Sequence, residues 1–468
     1  LNDQTETEFV VNAALVETKP GIEEWKSNVR FSISKGVITQ IVYDFPPNET
    51  SDSIHGNAIP AMVNTHSHAF QRGFAGMREY RTESSDSFWT WRDLMYKFVT
   101  DLTPEDVYVI ARQLYLEMVK AGYSWVGEFH YLHNSPTGNA YANPTEMADA
   151  LLRAAGDAGI GILLLPVLYQ RSGFTTMETN HDQRRFALSL DKYFDLVNNC
   201  RDKVTANPDA GIGLAFHSLR AVSFEAMQKT LQYRQNHLAN CNIHIHAAEQ
   251  QLEVDDCLSA TGKRPLQFLL DSFPIDESWC VIHATHINSD EVTRLSKSRA
   301  VAGLCPTTEA NLGDGIFPAS QYLDSGGRIS IGSDSHSSIN LREELRWLEY
   351  SQRLLGGQRA VLGTPELSTG RRLYSECARS GGQAIGTKTG RLAVGYRADL
   401  LILSSNHPTI SNASKDRTLD RFIFLNAGCP IWKRMLGGQW IEETKLNEQL
   451  RCSTVAFNQL NQKFFKSF

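Results

Sequence analysis

The sequence predicts an α/β fold: a (β/α)₈ TIM-like barrel carrying a small composite β-sandwich domain built from both termini. Three observations predict it. Strand-like and helical runs alternate through the middle of the chain, as parallel βαβ units require. Eight strand-like runs can be counted there, and several are almost continuously apolar, as expected of strands covered on both faces. Both ends of the chain are β-rich and lack that alternation. The resulting division is 1–57 for the first part of the small domain, 58–390 for the barrel, and 391–468 for the rest of the small domain plus a tail. A doubly wound open sheet is the structural rival.

Residues 8–16 and 38–44 read as short strands around Gly21 and Gly36. The first barrel strand, 58–64, runs into Thr65-His66-Ser67-His68. A helix opens at Thr103, the expected N-cap, with Pro104 at its first position and Asp106 three residues after the cap. Val107, Ile110, Ala111, Leu114, Met118 and Val119 supply its apolar face, and Gly122 is placed to end it. The remaining barrel strands are expected at 124–132, 159–169, 211–219, 242–248, 278–284, 300–306 and 328–334. The pair Gly390/Gly395 marks turns before a strand ending at Leu403. Runs 421–427 and 432–441 read as further strands, the latter with a hairpin turn at Gly437-Gly438.

Composition narrows the function. Charged residues are 21%, apolar residues 41%, and the net charge is −6, which gives no global basic field for nucleic acid or anionic membrane. No Lys/Arg run marks a local nucleic-acid patch. No stretch reaches the ~18 apolar residues of a spanning helix. The N-terminal LNDQTETEF is polar and acidic, unlike a signal or transit peptide. The first residue is not Met, which leaves room for a removed presequence. Eight scattered cysteines form no CxxC pair, so reduced, mostly buried thiols in a cytoplasmic protein are expected.

The histidines carry the chemistry. His66 and His68 end the first barrel strand, and the period of two puts both imidazoles on one side. His246, His283 and Asp334 end three more strands, and Glu249 follows His246 by three residues. Barrel active sites occupy that C-terminal rim. Neutral imidazoles with a carboxylate suit Zn²⁺ or another first-row divalent ion. His244, one pleat deeper than His246, reads as a packing residue, and His286 and His336 as loop or supporting residues.

This constellation resembles the amidohydrolase superfamily, whose pattern is HxH on strand 1, His on strands 5 and 6, and Asp on strand 8. The segment Gly390-x-Leu392-x-x-Gly395-x-x-Ala398-Asp399-Leu400 also resembles that superfamily's lead into its small β domain. Strand 4 offers Phe216-His217-Ser218 and no Lys, which favours the mononuclear branch that holds the deaminases. The resemblance implies one metal ion, most consistent with zinc, on His66, His68, His246 and Asp334. It implies catalytic roles for Glu249 as proton shuttle, His283 beside the reacting water, and Asp334 as base.

Longer strings narrow the likeness further: 66–72, 87–92, 127–133 and 305–315. They are similar to those of the N-formimidoyl-L-glutamate deiminase family of histidine degradation, which releases ammonia from a formimino group. That similarity implies substrate contacts at Gln71, Arg92, Tyr131, His217 and Arg220. A small dicarboxylate needs fixed cations, and arginine offers a bidentate fork. Phe88, Trp89 and Trp91 read as loop-packing residues that help exclude water. The rivals are deaminases of guanine, cytosine or an adenosine derivative, a hydrolase of s-triazines, and a non-catalytic scaffold. Expected partners are a small-molecule substrate and, as superfamily barrels commonly do, a second copy in a homodimer. No nucleic acid or membrane is expected.

Overall fold

The structure, a computed structural model, describes residues 6–44, 53–77, 79, 88–411, 413 and 415–465. Residues 1–5 of the polar N-terminal run and Ser87 of the 87–92 string lie outside them.

Two sheets organise the chain. The small sheet takes β1 (Thr7–Lys19), β2 (Ile22–Ser34), β3 (Val37–Val42) and β4 (Ser53–Pro60) from the N-terminal side. The barrel strands are β5 (Met62–Ser67), β6 (Tyr123–His130), β7 (Gly161–Leu168), β9 (Leu214–Ser218), β10 (Ile243–Ala247), β11 (Trp279–His283), β12 (Val301–Leu304) and β13 (Arg328–Ile331), with the short β8 (Ala210–Ile212) pairing only with β7. The small sheet is completed by β14 (Leu400–Ser404), β15 (Ile431–Leu436) and β16 (Gln439–Ile441).

All eight expected barrel strands form, in the order β13-β12-β11-β10-β9-β7-β6-β5. The ring closes between the last and first strands. Asp334 N–H donates to the His66 carbonyl at 3.0 Å, and Ser67 bridges in parallel to Asp334. Gly332 permits that approach, because a Cβ there would sit 2.8–2.9 Å from Cβ and backbone atoms of His66.

The small sheet runs β16-β15-β14-β4-β1-β2-β3. In a flat sheet four strand steps would separate β1 from β16 by about 19 Å. Instead Phe9 and Trp440 meet with ring centroids 5.0 Å apart. The sheet therefore curls over its own apolar face, where Phe9, Val29, Phe31, Ile402 and Met435 are buried.

Three local expectations change. The run 58–64 is two strands: Pro60 ends β4, and the chain crosses into β5 at Ala61, whose N–H donates to Asp399 O at 3.0 Å. The apolar letters are continuous, so composition hides the crossing. β2 went unread because Glu23, Glu24 and Lys26 interrupt its apolar pattern. Residues 418–424 form a helix instead of the strand expected at 421–427, with Phe422 and Ile423 buried. By contrast, the helix Pro104–Ala121 has the expected ends: a reciprocal Thr103/Asp106 capping box and Gly122 in the left-handed region at φ 103°. A final helix, Glu443–Phe465, packs on it, and Phe464 meets Phe98 at 5.1 Å.

Candidate active site

The rim of the barrel is built by strands that turn sharply as they end. Ala248, His283, Ala284, Asp334 and His336 all have positive φ, between 43° and 67°. Non-glycine residues adopt this region at a cost, and they concentrate where side-chain direction matters. Here the turns aim His283 and Asp334 inward.

His66 Nε2 lies 3.1 Å from His68 Nε2 and 2.9 Å from His246 Nε2. Asp334 Oδ1 lies 3.4 Å from His66 Nε2 and 3.3 Å from His68 Nε2. His68 Nδ1 donates to Phe129 O and His246 Nδ1 to His217 O, each at 2.9 Å. A carbonyl only accepts, so both protons sit on Nδ1 and both Nε2 lone pairs face the same point. Burial pushes His66 and His246 well below the ordinary histidine range, with neighbouring histidines adding to it. Burial also lowers His68, against the pull of Asp334. Neutral nitrogen lone pairs and a carboxylate oxygen aimed at one point repel one another unless a cation lies among them. Among the described residues His66 Nδ1 is buried without a partner, and none of them offers an acceptor that steers its ring. The donor set fits a divalent cation, with outer hydrogen bonds fixing two of the tautomers.

His283 stands just outside this cluster. Its Nε2 is 3.8 Å from Asp334 Oδ2 and 3.7 Å from Glu249 Oε1, and its Nδ1 is 3.2 Å from Glu309 Oε1. Burial works against its charge, but Glu249, Glu309 and Asp334 outweigh burial and push it up to about 10. Burial raises Glu249, opposed by His283. A carboxyl and an imidazole, both shifted upward, thus face one another beside the cluster.

A pocket opens over these groups. Its walls include ten of the eleven residues singled out from sequence: His68, Gln71, Arg92, Tyr131, His217, Arg220, His246, Glu249, His283 and Asp334. The eleventh, His66, lies beneath them, fully buried. Gln71 Nε2 donates to Tyr131 Oη at 3.0 Å, while Gln71 Oε1 is buried without a partner among the described residues. His217 packs edge-on to Tyr131 and Tyr169. Arg171 donates to the carbonyls of Leu219, Arg220 and Val222, which fixes the loop carrying Arg220. Among the described residues no carboxylate forms an ion pair with Arg92 or Arg220, and Arg92 Nε is buried without a partner. Two cations at one pocket mouth, neither within ion-pair distance of a carboxylate among the described residues, suit an anionic ligand, with Glu253 and Glu249 standing farther from Arg220.

Sequence reading gave no role to Glu128 and Glu309. Glu128 accepts from Ser67 Oγ at 2.6 Å, Ala69 N–H at 2.7 Å and Tyr115 Oη at 3.0 Å, so it pins the backbone on both sides of His68. Glu309 accepts from Cys305 N–H at 2.9 Å besides meeting His283. An acidic residue inside an otherwise apolar strand was the available signal for Glu128. Cys305 Sγ also lies close to His283 and Asp334, but burial holds the thiol well above its usual range. His244 Nε2 donates to the Ala384 carbonyl at 2.8 Å, in keeping with a packing role. His286 reaches the Asp314 carbonyl, and His336 lies between Ser67 and Ser333.

A histidine–aspartate cluster at the C-terminal rim of a (β/α)₈ barrel, with a small β domain at its side, defines a metal-dependent hydrolase architecture. Residues 57–441 match the model of the amidohydrolase family, and the chain belongs to that family. At the level of individual proteins, it is 47% identical to a formimidoylglutamate deiminase of Pseudomonas aeruginosa over 90% of this chain and 92% of that one. An amidohydrolase from Brucella melitensis superposes with a TM-score of 0.89 at 39% identity, covering 97% of this chain and 99% of the other. An adenosine deaminase from Xanthomonas campestris solved with bound zinc shares the fold, with a TM-score of 0.76 at 16% identity over 97% and 98% of the two chains. No helix among the described residues is long and apolar enough to cross a membrane.

Proposed function

We propose that this enzyme hydrolyses N-formimidoyl-L-glutamate to N-formyl-L-glutamate and ammonia, a step of histidine degradation. The observation that carries the reading is the pairing of a His₃Asp cluster with two arginines at the pocket mouth that have no carboxylate ion pair among the described residues. The 47%-identical relative supports the same substrate.

One divalent ion, most consistent with zinc, would be held by His66, His68, His246 and Asp334. When bound, such an ion supplies Lewis acidity and brings the pKa of water down toward neutrality. The protein groups do the rest. Asp334 takes the proton of the attacking water through Oδ2. Glu249 gives the proton on Oε1 to the imino nitrogen, takes up the remaining proton of the attacking oxygen and passes it to the departing ammonia, and is reprotonated by the proton that Asp334 removed from the water. His283, 3.7–3.8 Å from both carboxylates, holds the oxygen as negative charge develops on it. One C–N bond breaks and one C=O bond forms, with water as the only co-reactant. Arg92 and Arg220 bind the two carboxylates. Gln71 Oε1, buried without a partner, accepts an N–H of the formamidine. Tyr131 and His217 complete the wall.

A cytoplasmic setting and a homodimeric assembly belong to this reading. Sedimentation velocity tests the second. Ammonia release from formimidoylglutamate, measured beside formimidoylaspartate and guanine, tests the whole. Turnover of guanine with formimidoylglutamate untouched would replace this reading with a purine deaminase.

A further inference from the structure

Arg92 and Arg220 come from elements far apart in sequence, yet both rest on one indole. Arg92 Cζ lies 4.4 Å from the centroid of the Trp89 ring, and Arg220 Cζ lies 5.5 Å from it. Arg92 also lies 5.5 Å from Tyr96. Trp89, Arg92 and Tyr96 follow at spacings of three and four on the helix Phe88–Val99, which puts them on one face. Trp89 is half-buried and does not itself line the pocket.

Two guanidinium groups at one pocket repel. A carboxylate between them would relieve the repulsion but would also compete with an anionic substrate. An aromatic face attracts a cation through its quadrupole and carries no charge of its own. Contact through the face of a guanidinium leaves its in-plane N–H donors free for bidentate bonds. Among the described residues no carboxylate lies within ion-pair distance of either arginine, Glu253 and Glu249 standing farther from Arg220, and Arg92 Nε is still unpartnered.

We infer that Trp89 is a positioning residue that presents Arg92 and Arg220 as one clamp, and so sets the preference for dicarboxylates over monocarboxylates. The inference rests on the dicarboxylate reading of the pocket. Trp89 acts through the arginines and touches no reacting atom.

The test is binding of glutarate and of butyrate, followed by calorimetry on the metal-loaded enzyme. Tryptophan at position 89 is replaced, by nonsense suppression, with mono-, di- and trifluorotryptophan, which weaken the quadrupole with little change of size. Trp89→Leu and Trp89→Phe complete the series, with metal content and melting temperature recorded for each. Glutarate affinity is expected to fall stepwise with fluorination, and by roughly ten- to a hundred-fold in Trp89→Leu, with Trp89→Phe restoring most of it. Butyrate, which one arginine can hold, is expected to change less than about three-fold. KM for formimidoylglutamate should follow the glutarate series. A flat fluorination series, or equal losses for both acids, overturns the inference. Should Trp89→Leu fail to fold, the fluorinated series still decides. Wild-type enzyme that binds glutarate but releases no ammonia from formimidoylglutamate defeats the proposed function and leaves this test intact.

Discussion

Truncating Arg220 tests the pocket's substrate logic directly. The residue is only 9% exposed, so solvent screens it little. A carboxylate at about 4 Å from such a cation gains up to ~4 kcal/mol at an effective dielectric of 20. Removing one partner of a buried charge pair costs about 2–5 kcal/mol, because the other charge is left without its partner. Arg92 stays in place against Trp89 and recovers part of this. The expected loss for Arg220→Ala is therefore about 2–3 kcal/mol, or roughly 30- to 150-fold in kcat/KM. The assay is ammonia release from three substrates: formimidoylglutamate, formimidoyl-4-aminobutyrate without the α-carboxylate, and formimidoyl-2-aminobutyrate without the side-chain carboxylate. One analogue should lose almost nothing further in the variant, and that coupling assigns the carboxylate Arg220 holds. Equal losses on all three substrates would refute the reasoning, since Arg220 would then be acting on the fold and not on a carboxylate.

The other expectations concern the cluster and its support. Glu249→Gln should retain the metal and lose about 10²- to 10⁴-fold in kcat; ordinary turnover removes the shuttle role. His66→Ala should lose the ion, read by elemental analysis, and a full complement of metal contradicts the ligand set. Burial raises Glu128 from 4.5 to about 7. Its favoured protonated form stabilises the fold fully below pH 4.5, and that stability is lost as pH rises to about 7, by at most ~3 kcal/mol. In metal-stripped protein Glu128→Gln does not titrate, so its urea midpoint should gain on wild type between about pH 5 and pH 8; a constant difference between the two proteins would show that Glu128 is not the source.

What was legible in the sequence follows from how each feature is encoded. His66 and His68 are two apart at the end of an apolar run, so the pleat alone puts them on one side. His246, His283 and Asp334 each terminate a similar run, and a closed barrel brings all such ends to one rim. The tautomers were not legible, because they depend on the carbonyls of Phe129 and His217, which approach from neighbouring strands. Glu128 and Glu309 lay within strings already noted, but their roles arise from contacts with Ser67, Ala69 and His283 across the barrel. The helix at 418–424 was missed for the opposite reason: Phe422 and Ile423 fit a buried strand as well as a buried helix face, and only packing against the helix Thr369–Ala384 separates the two.

The same distinction bears on how the rim is held. The left-handed turns at His283 and Asp334 use residues that resist that conformation, where glycine would adopt it freely. Glycine cannot serve there, because the turning residue is itself the functional one. The surrounding hydrogen bonds therefore hold the turns: Asp334 N–H to His66 O closes the barrel, and Ala284 N–H to Ala247 O ties β11 to β10. Closure of the ring and aim of the ligands are one constraint, so a change that loosens the seam between β5 and β13, such as Gly332→Ala with its Cβ 2.8–2.9 Å from atoms of His66, is expected to lower metal affinity before it unfolds the small sheet. Metal affinity by competition with a chromogenic chelator, set against melting of the apo protein, separates the two effects. Unfolding without a preceding loss of affinity would mean that the rim and the seam are independent.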